Sequence, residues 1–271
     1  MKKILITGAD SYIGTSFEKW VLKWPDEYAV DTLDMIGDLW KEKSFAGYDA
    51  VFHVAGIAHV KETKKNEELY YKVNRDLAIE TAQKAKKDGV KHFVFLSSMS
   101  VYGLETGVIT RETAPNPKSN YGKSKLQAEE GIITFAGPDF NITILRPPMV
   151  YGDGCKGNYQ TLVKLAQKLI VCPNYINKRS MIHIDNLSMF VKAIIDTQSD
   201  GTYYPQNRKY VCTCDMIKKI ASDNGRKIRM TRILNPAVYI LKACTTIGKK
   251  AFGDLIYKEM EAMDYSYCVT E

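Results

Sequence analysis

Short apolar runs, each ended by a turn and followed by a helix-like stretch, constrain this chain more than any other feature. Ile4–Thr7, Tyr28–Asp34, Ala50–Val54, His92–Ser97 and Asn141–Leu145 read as strands. Helical patterns follow Gly8 through about Trp24, span Asn66–Lys87 with Gly89 just beyond, and cover Tyr121–Phe135. Strands this apolar need cover on both faces, and alternation with helices supplies it. The expected fold is α/β, a doubly wound parallel sheet carrying a smaller annex. With 271 residues the chain is long enough for both. The pattern loosens after Tyr151, where a helix near Tyr159–Leu169, a short strand at Met181–Ile184 and a helix from Asp185 precede less regular elements. We therefore expect a first region over 1–150 and a mixed region over 151–271, part of it returning to the sheet and part forming a small substrate lobe.

Ligands of such sheets lie at the carboxyl ends of the strands. There the sequence places Gly8-Ala-Asp-Ser11-Tyr12-Ile13-Gly14, a glycine turn between a strand and a helix, as a dinucleotide loop requires. Gly8 suits the tight turn and Gly14 suits close packing of the helix on the sheet. Ser11 stands where glycine usually lets backbone near the pyrophosphate. Asp34, ending the second strand, is placed for the ribose diol of an adenosine, with Asp31 as competitor. A carboxylate there repels a 2′-phosphate and favours NAD over NADP. Asp38 faces either adenine or solvent. Ala55 and Gly56 end the third strand with small side chains, leaving room for a cofactor against the backbone. His59 follows that turn and is a candidate for reaching substrate; Asn74 lies in the long helix, either solvated or orienting a lysine through water.

Tyr121 and Lys125 are four apart on one helix and share a face. An ammonium near a phenol favours the phenolate, and Ser98, ending an apolar strand, can address the same substrate oxygen. That trio can take a proton from an alcohol while hydride leaves its carbon.

The order of these motifs resembles the extended short-chain dehydrogenase/reductase family. It runs Gly-x5-Gly, Ala-Gly, Asn, Ser-Ser-x-x-Val-Tyr-Gly, Tyr-x-x-x-Lys and Arg-Pro-x-x-Val-Tyr-Gly. Within that family the likeness is to the nucleotide-sugar epimerases, over about Met1 to Leu187. The resemblance implies a Rossmann-like fold, bound NAD, and Ser98, Tyr121 and Lys125 as catalytic residues supported by Asn74. It also implies Asn158 and Arg179 as contacts to the substrate phosphates, and a possible homodimer. Relatives that dehydrate carry an acidic pair where this chain has Met99 and Ser100, so 4,6-dehydration is not expected. The same trio serves two reactions: epimerisation of a UDP-hexose at C4 through a transient keto sugar, and NAD(P)H-dependent reduction of a 4-keto-6-deoxy nucleotide sugar, as in polysaccharide biosynthesis. A nucleotide-sensing scaffold without catalysis is a third reading, which the intact trio disfavours.

The net charge of +7 reads as dispersed among alternating Lys and Glu, without a base-stacking motif, so nucleic acid is not expected as a partner. Six cysteines show no metal spacing, no metal site is expected, and reduced thiols suit a cytoplasmic protein. The apolar start reaches Gly8 too soon for a signal peptide, and no stretch is long enough to span a bilayer; no membrane partner is expected.

Overall fold

The apolar runs become strands of one parallel sheet in a computed structural model that describes residues 1–58, 60 and 62–258. In chain order the first half contains β1 (Lys2–Thr7), α1 (Tyr12–Val21), β2 (Tyr28–Leu33), β3 (Ala50–His53), α2 (Glu67–Tyr71), α3 (Leu77–Lys87), β4 (His92–Leu96), β5 (Gly107–Ile109), α4 (Asn120–Ile133), β6 (Asn141–Leu145) and β7 (Met149–Tyr151). There follow α5 (Asn158–Lys168), β8 (Val171–Pro173), β9 (Met181–His183), α6 (Ile184–Thr197), β10 (Gly201–Tyr203), α7 (Thr213–Asp223), β11 (Arg229–Thr231), α8 (Asn235–Cys244), α9 (Thr246–Phe252) and β12 (Leu255–Tyr257).

The main sheet has six strands in the order β10-β6-β4-β3-β1-β2, every neighbouring pair parallel. Alternation along β1 sends Ile4 and Ile6 to one face and Leu5 to the other. On the first face they meet Phe17 and Trp20 of α1 and Leu187, Val191 and Ile194 of α6. On the second, Leu5, Val51, Phe93 and Phe95 meet Ala78, Ala82 and Ala85 of α3 and Ala128 and Ile132 of α4. Small alanines on α3 let that helix lie close to the aromatic face.

The chain beyond 150 contributes to the first helical layer and to the sheet itself. Its α6 covers the first face and β10 extends the sheet beside β6. Most of the remainder gathers around Leu162, Cys172, Met181, Ile217 and Ile220 as a separate small core, while Leu255 and Tyr257 of β12 pack on Val101, Tyr102 and Ile109. Strand ends fall within a residue or two of expectation, and the first helix stops at Val21 rather than Trp24. The long helix expected over 66–87 is interrupted by a π-helical turn at Lys72–Asp76. Such turns widen a helix by one residue and recur at functional sites; here the turn carries Asn74.

Two histidines are sealed in the sheet. His53 Nδ1 lies 2.8 Å from Thr7 Oγ1 and its ring stacks by Phe93 and Phe95, while His92 Nε2 lies 2.8 Å from Thr143 Oγ1. Burial pulls their pKa values down, to about 3 for His53 and about 4 for His92. Both folded values lie below the unfolded value, so this contribution to stability is present above pH ~6.5 and lost as pH falls through the folded values. Each proton withheld costs about 1.4 kcal/mol per pH unit, so roughly 3 kcal/mol should vanish between pH ~6.5 and ~5. Melting temperature against pH should show that fall, with a shallower slope in His92→Gln; a flat profile over the window would disprove it.

Candidate active site

Register brings the polar strand ends to one edge. Thr7 is level with Leu33 and with His53, and His53 with Phe95, so Gly8, Asp34, Gly56 and Ser98 emerge side by side. Gly8 has φ of +109°, and a Cβ there would sit 2.8 Å from the Ala55 nitrogen. Only glycine fits that turn. A Cβ on Gly14 would lie 3.0 Å from Ile6 and 3.1 Å from Val54, so α1 packs close to the sheet there. Ser11 is the N-cap of α1, its Oγ accepting from Gly14 N at 3.0 Å. Its hydroxyl thus completes the helix start, where free backbone N–H groups and the helix dipole favour an anion.

The neighbouring residues divide. Asp34 is exposed just past β2, its Oδ1 accepting from Ile36 N at 3.0 Å. Asp31 lies mid-strand opposite Leu5 and accepts from the Tyr48 hydroxyl at 2.6 Å, whereas Asp34 stands at the strand end. Asp38 is exposed and pairs with Lys41 at 3.1 Å. Tyr12 and Ile13 pack on the first core, and a Cβ on Gly152 would come within 3.1 Å of the Tyr12 hydroxyl. Tyr12 therefore points toward the loop after β7. Ala55 is buried and its N–H donates to Thr7 O at 2.9 Å, whereas Gly56 is exposed.

Ser98 and Tyr121 come together through close packing of α4 on the turn after β4. A Cβ on Gly122 would stand 2.5 Å from Ser100 O, so the residue after Tyr121 must be small for Ser98 to approach. Ser119 caps α4 through Gly122 N at 3.0 Å, and Glu62 accepts from Asn120 N at 3.0 Å and Tyr121 N at 3.1 Å. A carboxylate on the first N–H groups of a helix is favoured by the dipole. Ser98 Oγ accepts from Ser100 N at 3.1 Å. Burial raises the Tyr121 pKa, and the Ser98 hydroxyl, hydrogen-bonded to the phenol, opposes that rise.

Lys125 differs from expectation. Its Nζ donates to Leu96 O at 2.8 Å and lies 4.7 Å from the Phe95 ring centroid, so the ammonium engages the sheet edge rather than the phenol. A Cβ on Gly56 would lie 3.4 Å from that Nζ, which places the lysine beside the strip of backbone open to a cofactor. Burial pulls its pKa down to about 8, with Glu129 opposing. Asn74 is buried rather than solvated: its Oδ1 accepts from Ile57 N at 2.8 Å, and its Nδ2 donates to Ile57 O at 3.0 Å and Ser124 Oγ at 3.2 Å. It fastens the Gly56 loop to the helix of Tyr121 and Lys125.

Sequence reasoning missed the charge cluster behind the trio. Glu129, one turn past Lys125, takes a two-pronged contact from Arg146, with Nη2 at 2.5 Å and Nε at 3.1 Å from Oε2. Ser97, next to Ser98, donates to Glu129, and Arg146 Nη1 donates to Tyr102 OH at 2.8 Å. The Tyr257 hydroxyl of β12 donates to Arg146 O at 2.8 Å. Both charged side chains are largely buried, 4% exposed for Glu129 and 12% for Arg146.

Arg179 is partly buried between Val211 and Leu255, with burial lowering its pKa. Among the described residues its guanidinium makes one hydrogen bond, from Nη1 to Gly253 O at 2.9 Å, leaving donors for an anion. Asn158 begins α5, its side chain outside what is described, and His59 also lies outside the described residues. No group of ligands able to hold a metal occurs among the described residues.

Comparison with known proteins decides the family. Residues 4–204 match the NAD dependent epimerase/dehydratase family. The chain belongs to that family. This epimerase/dehydratase family member is 31% identical over 246 residues to a UDP-glucose 4-epimerase of Vibrio cholerae, covering 81% of this chain and 75% of the relative. It is 28% identical over 272 residues to an Escherichia coli O157:H7 4-epimerase of N-acetyl-α-D-glucosaminyl-diphospho-ditrans,octacis-undecaprenol, covering 92% and 81%. Its fold matches a Bacillus cereus UDP-glucuronic acid 4-epimerase solved with NAD, at TM-score 0.70 and 20% identity over 92% of this chain and 96% of that one. A dTDP-4-dehydrorhamnose reductase from Clostridium acetobutylicum superposes at TM-score 0.69 and 24% identity, over 84% and 82%. The protein is an NAD-dependent enzyme with a Rossmann-like fold. The Gly8 cradle, the open α1 N-terminus and Asp34 fit that cofactor.

Proposed function

We propose that this enzyme is a 4-epimerase of a sugar diphosphate, with a UDP-hexose as substrate class, acting through a transient 4-keto sugar. The observation that carries the reading is the convergence of Ser98 and Tyr121 beside Lys125 at the edge where Gly8 and Gly56 emerge. Tyr121 takes the proton of the sugar 4-hydroxyl and returns it to the other epimer. Ser98 holds that oxygen by a hydrogen bond. Lys125 holds the cofactor ribose, and its ammonium sets the local field. NAD, when bound, would supply the redox chemistry as a hydride carrier. Gly8, Ser11, Gly14, Asp34, Ala55 and Gly56 would hold NAD, with Tyr12, Ile13 and Asp38 alongside. Asn74 acts as a positioning residue through Ile57 and Ser124. Arg179, with Asn158, binds the diphosphate, because a planar guanidinium fork suits paired phosphate oxygens.

The diphosphate is common to nucleotide sugars and to the lipid-linked sugar of the O157:H7 relative, which aligns over 92% of this chain. A polyprenyl diphosphate sugar is therefore the second substrate class to test. The enzyme should be incubated with UDP-sugars and with a polyprenyl diphosphate N-acetylhexosamine, and the products read by NMR. Epimer formation without net change in cofactor absorbance supports the proposal. Stoichiometric loss of reduced cofactor would instead assign a 4-keto reductase.

A further inference from the structure

Among the described residues the α8–α9 hairpin is apolar yet uncovered. Its first helix carries Ala237, Val238, Tyr239, Ile240, Leu241 and Ala243, of which only Val238 is buried. Ile240 is 66% exposed, Tyr239 61%, Ile247 of α9 75%, and Ile233 just ahead of α8 87%. A helix apolar on several sides is ordinarily buried, and a clustered apolar surface marks an interaction site. The crossing of the two helices is tight: a Cβ on Gly248 would fall 2.1 Å from Leu241 O. Ile240 and Ile247 are thus held outward by backbone packing rather than left there by a loose end.

Charge identifies the partner. From Arg226 to Lys250 the sequence contains seven basic residues and no acidic one, a positive charge equal to the +7 of the whole chain. Arg229, Arg232, Lys249 and Lys250 are exposed around the apolar side chains. Apolar groups projecting from a basic rim suit the boundary of an anionic bilayer, with side chains in the acyl region and cations at the headgroups. No helix among the described residues is long and apolar enough to cross a membrane. We infer that α8–α9 docks the enzyme peripherally on an anionic lipid surface. The hairpin ends at Gly253, whose carbonyl is held by Arg179. On the reading of Arg179 given above, docking sets the bilayer beside the diphosphate end of the site; the docking itself does not depend on that reading.

The test is flotation of the full chain with vesicles containing phosphatidylglycerol and with vesicles of phosphatidylcholine alone. We expect about tenfold more bound protein on the anionic vesicles, falling with added salt. Ile240→Asp with Ile247→Asp, and separately Arg232→Glu with Lys249→Glu, should abolish the difference while melting temperature and turnover of a water-soluble substrate stay unchanged. Equal binding to both vesicles, or none, overturns the inference. A dimer in solution that these substitutions dissolve would also overturn it, assigning the face to a second copy of the chain.

Discussion

Tyr121→Phe is expected to lower turnover by about 10³-fold while leaving NAD binding and melting temperature unchanged. The phenyl ring keeps the packing of α4 on the turn after β4, so only the proton-bearing oxygen is lost. Neither of its two partners in the trio can replace it. Ser98 is a neutral hydroxyl already accepting from Ser100 N, and Lys125 is turned to Leu96 O. Burial raises the Tyr121 pKa, so the phenol holds its proton at neutral pH in the structure described. Lowering that pKa toward neutrality takes added positive charge near the oxygen, which Lys125 and the cationic nicotinamide would share. Lys125, with its pKa near 8, loses its charge as pH rises through that value, and the rate should fall there too. Equilibrium NAD titration beside single-turnover product analysis checks the prediction. Near-normal turnover in the variant would remove Tyr121 from proton transfer.

Glu129→Gln is expected to cost about 3–5 kcal/mol of stability, because it leaves the buried Arg146 guanidinium without its counter-charge. For a chain of this size that corresponds to a melting temperature lower by roughly 10 °C. Replacing both partners with apolar residues of similar volume, as in Glu129→Leu with Arg146→Met, should recover much of the loss, since neither charge is then buried alone. Calorimetry on the single and double variants separates the two cases. A single variant within about 1 kcal/mol of wild type would show that water reaches the pair and that it is worth little. Ser97 bonds Glu129 and precedes Ser98, so the single variant should also loosen Ser98 and lower the rate.

The parts of this molecule legible in the sequence are those written in local spacing. Apolar runs gave the sheet, Gly8 and Gly14 the loop, and the four-residue step from Tyr121 to Lys125 a shared helix face. Partners distant in sequence were hidden. Glu129 was one further turn along the same helix, yet nothing local tied it to Arg146, 17 residues on and one strand away. Glu62 caps α4 from a loop 58 residues earlier. Asn74 looked poorly placed for a helix because the π-helical turn that aims it inward leaves no periodic signal. Averaging misled as well: the net charge read as dispersed, whereas residues 226–250 carry basic groups with no acid among them.

The bond from Tyr257 to Arg146 O bears on how the enzyme comes into being. The two residues are 111 apart, and β12 also adds itself to β5, formed from residues near 108. During synthesis the sheet, the nucleotide loop and α4 are all available long before residue 257 leaves the ribosome. The carbonyl of Arg146 and the open edge of β5 must wait for it, as must the cluster of Val101, Tyr102 and Ile109 on which Leu255 and Tyr257 pack. Long-range closures of this kind slow folding. A nascent chain stalled short of β12 should therefore hold cofactor while that cluster is still open.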